Sequence, residues 1–88
     1  MLKLTREDIA DINPEAIIFD ELDEAIIGVG KQFTGAPVVV YDYDRCIAIF
    51  MRDNDWDHED AIDWMQYNVL GAYLGEGTPI FMTVFSEE

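Results

Sequence analysis

VVVYDYDRCIAIFMRDNDWDHEDAIDWM, Val38 to Met65, decides how this chain folds. It opens on a short, wholly apolar, β-branched run, Val38 to Tyr41, which reads as a strand covered on both faces. From Asp44 the spacing changes to that of a helix, with Cys46, Ile47, Ile49 and Phe50 apolar as far as Arg52. Short polar residues, Asn54 and Asp55, then suit a bend. A second helix starts near Asp57 and runs to about Leu74, with Ala61, Ile62, Met65, Val69 and Ala72 on one stripe. The centre of the chain is thus a strand followed by a helical hairpin.

Working outward, Gly75-Glu76-Gly77-Thr78-Pro79 ends the hairpin and launches a last strand, Ile80 to Phe85, apolar on both faces. With strand up, helix down and helix up, that strand returns antiparallel to Val38–Tyr41. On the other side, Thr5 is an N-cap for a helical turn that must stop before Pro14. A further helix begins near Asp20, with Leu22, Ala25, Ile26 and Val29 at helical spacing and Gly28 and Gly30 fraying its end. Thr34-Gly35-Ala36-Pro37 is a turn. Two strands with open edges are marginal alone. The expectation is therefore a third strand from Ala16-Ile17-Ile18-Phe19, or a homodimer through a strand edge or an apolar sheet face. The predicted fold is α+β: a small two- or three-stranded antiparallel sheet packed by a helical hairpin and an N-terminal helix. It is one domain over residues 1–88, with an acidic helical part, 1–34, and a β-α-α-β core, 37–85.

Charge narrows the function. The chain of 88 residues carries a net charge of −14, and all of it sits in two blocks. Glu7 to Glu24 holds eight acids and no base, and Asp53 to Asp63 holds six acids and no base. Phosphate polymers and anionic membranes are repelled by either block, so direct nucleic-acid and membrane binding are excluded, and a cationic partner is implied. No apolar run reaches the ~20 residues of a membrane span. The single cysteine, Cys46, permits no intrachain disulfide and suits a reducing cytoplasm. The opening MLKLTREDIADI has no apolar core of a signal peptide.

Several patterns invite a sharper chemistry. Asp42-Tyr43-Asp44 after a strand looks like the nucleophile motif of haloacid-dehalogenase-type phosphatases, which would work with Mg²⁺. Arg45-Cys46 replaces the usual Gly-Thr and no lysine follows, so a helix cap at Asp42 or Asp44 is the better reading. Asp53, Asp55 and Asp57 stand at calcium-loop positions 1, 3 and 5, yet His58 and Trp64 occupy the places of the turn glycine and the bidentate glutamate. Asp57 as an N-cap, with Asp60 three residues on and Glu59 in the first turn, accounts for the same residues. Cys46 and His58 fall about two helical turns apart, ~9 Å, too far for a nucleophile–base pair. GVGKQFTG lacks the spacing of a phosphate loop.

From Tyr41 to Phe81 the pattern YDYDRCIAIFMRDNDWDHEDAIDWMQYNVLGAYLGEGTPIF is similar to a family of short proteins from phages, prophages and bacteria with no assigned activity. The resemblance rests on the YDYxxCI opening, the central Glu59-Asp60-Ala61 and the YNVxGAYxGExTPIF tail. Where that family tends to read Asp-Gly-Met, this chain has Asn54-Asp55-Trp56, a more acidic and aromatic bend. The resemblance implies an origin and a module, not a mechanism.

The leading expectation is a small cytoplasmic, non-enzymatic module, without cofactor, that binds a basic protein surface. Its contact residues are the hairpin tip, Asp53, Asp55, Trp56, Asp57, Glu59 and Asp60: carboxylates to steer and a tryptophan to anchor. The alternative is a DNA mimic that inhibits a nucleic-acid-binding host or defence enzyme, since Asp57, Asp60 and Asp63 rise ~4.5 Å apart on a helix against ~3.4 Å per phosphate. An Mg²⁺-dependent hydrolase using Asp42 and Asp44 ranks third.

Overall fold

In the computed structural model, which describes residues 5–31, 35–71 and 75–85, the chain is an α+β fold built on a three-stranded sheet. Helix α1 spans Arg6–Ile12 and a six-residue 3₁₀ segment spans Asp20–Ala25. Strands β1, Ile26–Gly30, and β2, Val38–Asp42, precede helix α2, Tyr43–Asn54. Helix α3, His58–Trp64, continues as a wider π-helical turn, Met65–Leu70, and β3 is Ile80–Met82. Thr34 of the expected turn, and Ala72 and the end of the second helix, lie outside the described residues.

Local chemistry explains where each helix begins. The Thr5 hydroxyl accepts the Asp8 N–H at 3.2 Å while the Asp8 carboxylate accepts the Thr5 N–H at 3.1 Å, a reciprocal capping box. Ahead of Pro14, Asn13 is extended, and its amide donates to the Pro37 carbonyl at 2.8 Å, tying the end of α1 to the start of β2. Asp42 caps α2 by accepting the Arg45 N–H at 3.2 Å, and Asp57 caps α3 by accepting the Asp60 N–H at 2.9 Å. The buried stripes are those expected: Cys46, Ile47, Ile49 and Phe50 on α2, then Ala61, Met65 and Val69 behind the bend.

The sheet departs from expectation twice. The helix expected to run past Ala25 stops there, and Ile26–Gly30 is the third strand, pairing antiparallel with β2 through a bulge between Ile26 and Gly28. Leu22 and Ala25 are both buried, and a spacing of three suits a 3₁₀ turn as well as an α-helix. Beyond them, Gly28 and Gly30 would each cost a helix ~1 kcal/mol, whereas a strand uses the β-branched Ile26, Ile27 and Val29. Ala16–Phe19 is then not a strand but a strap: the Ile17 N–H donates to Gly77 at 3.0 Å and the Phe19 N–H to the Tyr41 hydroxyl at 2.8 Å.

Second, β3 lies parallel to β2, with Val40 beside Ile80, Tyr41 beside Phe81 and Asp42 beside Met82. The sheet is mixed, in the order β1-β2-β3. A hairpin alone would deliver the chain to the wrong end of β2 for this. Ahead of β3, Gly77 lies beside the strap, where its carbonyl accepts the Ile17 N–H. The approach at Gly77 is so tight that an added Cβ would collide with the Glu15 carbonyl oxygen, which is why a glycine stands there.

β2 is the spine. Val39 and Tyr41 are fully buried, and the Tyr41 ring stacks on Phe81 with centroids 5.3 Å apart and meets Phe19 at a tilt, 6.3 Å away. Beyond this core, Ile80, Met82, Val84 and Phe85 are exposed, Phe85 by 91%. Replacing Tyr41 by Phe keeps the stack but strands the part-buried Phe19 N–H. We expect a loss of ~1–3 kcal/mol in urea unfolding. Unchanged stability would mean that the hydroxyl does not hold the strap.

Candidate functional site

The bend between α2 and α3 is set by backbone geometry at Asp55, whose φ of 56° is left-handed. Both the Asp55 and the Trp56 N–H groups donate to the Met51 carbonyl, the arrangement that closes a helix through a left-handed residue. Such a cap commonly brings the following side chain back onto the last turn. Trp56 follows this rule: it is half-buried and, with Met51, packs against the core. Its other contact is Trp64 on α3, with ring centroids 5.4 Å apart and planes inclined at 49°. Trp56 is therefore both a lid on the hairpin and one wall of a surface feature.

That feature is an open groove of about 320 Å³ lined by Trp56, Asp60, Asp63, Trp64, Tyr67 and Asn68. Trp64 is 42% exposed and Tyr67 81% exposed. Tyr67 and Asn68 reach it from the π-helical turn, and the Asn68 side-chain amide donates to the Trp64 carbonyl, 3.3 Å away. Gly71 closes this turn, where an added Cβ would stand 2.9 Å from the Gln66 carbonyl oxygen.

The six residues of the expected hairpin-tip surface do not stay together. Trp56 and Asp60 share the groove. Asp57 and Asp55 serve as caps, Asp57 with its side chain and Asp55 with its backbone, although both remain exposed. Glu59 is exposed in the first turn of α3. Asp53 pairs with Arg52 at 2.8 Å. The expected contact set does not include Asp63, Trp64, Tyr67 and Asn68, although Asp63 stands with Asp57 and Asp60 in the spacing that suggests DNA mimicry. The signal was present: Asp60, Asp63, Trp64, Tyr67 and Asn68 recur at i, i+3, i+4, i+7 and i+8, opposite the buried Ala61-Met65-Val69 stripe.

Electrostatics separate the two acidic blocks. Arg6 bridges Asp20 at 3.0 Å and Asp23 at 2.9 Å, and Arg52 bridges Glu24 at 2.9 Å and Asp53 at 2.8 Å. Both guanidinium groups are raised above their ordinary pKa by these carboxylates. The N-terminal block is thus partly neutralised, and it meets the second block at Arg52. Among the described residues no ion pair reaches Asp60 or Asp63. The groove keeps its negative charge.

The other motifs take the following places in the fold. Asp42 caps α2, with Arg45 beside it at 3.6 Å. Cys46 is fully buried and His58 exposed. Among the described residues no three His, Cys, Asp or Glu side chains are gathered closely enough to hold a metal ion, and no helix is long and apolar enough to cross a membrane. No family model, curated protein or solved structure matches the chain.

Burial pushes the Cys46 thiol up to about 12, with the charge of Asp42 adding to it, and pushes the Tyr41 phenol up to about 12 against the opposing Phe19 hydrogen bond. Their ordinary values are 9.0 and 10.0, so between about 9 and 12 the unfolded chain releases protons that the folded chain keeps. Stability is fully present below that window and falls as pH rises through it. We expect the urea midpoint to hold to pH 9 and drop by pH 11, less steeply in Cys46→Ala. A midpoint independent of pH across this range would show that neither group is shielded.

Proposed function

We infer that this chain is a small protein-binding module of phage or bacterial type that works in the cytoplasm without catalysis and docks a basic protein surface. The observation that carries this reading is the groove on α3, where exposed aromatic rings stand beside two carboxylates that no described residue pairs. Tryptophan and tyrosine with charge around them are the residues that dominate protein interfaces, because they bury large area at little entropic cost. Excess negative charge speeds encounter with a cationic partner and rejects anionic ones. The contact surface is Trp56, Asp60, Asp63, Trp64 and Tyr67, with Asp53, Asp55, Asp57 and Glu59 adding to the field around it.

Affinity capture from bacterial cytosol tests this with three baits: the native chain, Trp64→Ala/Tyr67→Ala, and a Glu7→Gln/Asp11→Asn control on α1. We expect one basic protein to be retained by the native chain and the control, at least ten-fold less by the groove variant, and to be released by salt. Equal retention by the groove variant would remove the groove from the function. Competition by duplex DNA for the captured protein would replace general docking with mimicry of its nucleic-acid ligand. The exposed Ile80, Met82, Val84 and Phe85 also support the expected homodimer, and a solution mass of twice 10.1 kDa is its measure.

A further inference from the structure

Two tilted tryptophans with carboxylates on the same helix face form a more specific site than a generally acidic surface does. The rings of Trp56 and Trp64, inclined at 49°, do not seal against each other as a parallel stack would, and Tyr67 extends the aromatic surface along the π-helical turn. Aromatic faces carry negative electrostatic potential and attract a cation placed over them. Asp60 and Asp63, one helical turn apart on the same side, add full negative charge. The described arginines cannot satisfy them, since Arg6, Arg45 and Arg52 all pair with other carboxylates. Ring faces and charge therefore converge on one kind of group, a cation with a flat face.

We propose that the groove receives an arginine side chain of the partner, its guanidinium plane on the Trp56–Trp64–Tyr67 surface and its N–H fork on the Asp60 or Asp63 carboxylate. This rests on the reading of the chain as a module for a basic protein surface and names the residue that the surface must offer. Arginine fits better than lysine for three reasons. Its planar head stacks on aromatic rings, its fork meets a carboxylate through two parallel hydrogen bonds, and it gives up its hydration more readily than an ammonium. The groove is open to solvent and shallow, so it suits a side chain projecting from another surface and not an enclosed small molecule.

The chain contains two tryptophans, and both line this groove, so its tryptophan emission reads the site directly. The native protein is titrated, at constant ionic strength of about 0.15 M, with a capped Gly-Gly-Arg-Gly-Gly peptide and with its lysine and citrulline counterparts. We expect a saturable emission change with the arginine peptide, at least ten-fold weaker binding of the lysine peptide, and no response to citrulline. Asp60→Asn/Asp63→Asn keeps side-chain shape on an exposed face and should weaken arginine binding at least ten-fold with an unchanged circular dichroism spectrum. Glu7→Gln/Asp11→Asn removes the same charge from α1 and should leave the affinity within two-fold.

No saturable change, equal response to lysine, or an equal loss in the α1 variant would each overturn the proposal. The last would mean that the net charge alone attracts the peptide. If the arginine peptide fails while the Trp64→Ala/Tyr67→Ala bait still loses its captured protein, protein binding at the groove stands and the arginine assignment falls. If both fail, the groove is not the binding surface.

Discussion

The hydroxyl of Tyr41 accepting the Phe19 N–H, inside a cluster of three aromatic rings, ties the middle strand of the sheet to the strap that covers it. Tyr41 belongs to the middle strand, Phe81 to a strand that arrives more than a hairpin later, and Phe19 to a segment with no regular structure. A short sheet of three strands cannot bury much on its own. Here the missing cover comes from the strap Ala16–Phe19, which is pinned at one end by Gly77 and at the other by Tyr41. The parallel placement of β3 depends on the same contacts, because the returning chain must thread beside the strap before it can pair. With the sheet in place, α2 has a surface to lie on, and α3 has α2.

Charge is distributed so that it works in two ways. The 3₁₀ segment Asp20–Ala25 is held between Arg6 of α1 and Arg52 of α2, so acids of the first block act as structural partners of two arginines. These pairs are exposed and contribute little stability in salt, but they orient the segment across the helices. On α3 the carboxylates of Asp60 and Asp63 have no such partners among the described residues. The same residue type is therefore structural at Asp20, Asp23 and Asp53 and without an ion-pair partner among the described residues at Asp60 and Asp63, a difference decided by which side of the fold carries arginine.

How much of the candidate site was legible follows from the physics of the bend. The capping roles of Asp42 and Asp57 were readable, since a short polar side chain before an apolar-periodic run satisfies orphan helix amides wherever it occurs. The fate of Trp56 was not, because it depends on the left-handed conformation at Asp55, which turns the next residue back against Met51 and towards Trp64. Hydrophobicity alone would place Trp64 and Tyr67 in the core. They lie outside because the buried stripe of this helix is already filled by Ala61, Met65 and Val69. Counting aromatic residues cannot make that distinction, whereas their phase against the buried stripe can.

By itself the sequence determined the β2–α2–α3 succession, the caps, the buried stripes of both helices and the presence of a last strand, because these depend on periodicity and on side chains reaching a few residues along the chain. Tertiary structure alone decided the rest. The 3₁₀ segment and β1 replaced a helix because Ile26–Gly30 found a partner in β2, and pairing between distant segments leaves no mark within either of them. The direction of β3 followed from its pairing with β2, and the groove followed from two tryptophans eight residues apart being brought together, their rings tilted, across a bend. Each is a contact between residues whose separation in sequence carries no information about their separation in space.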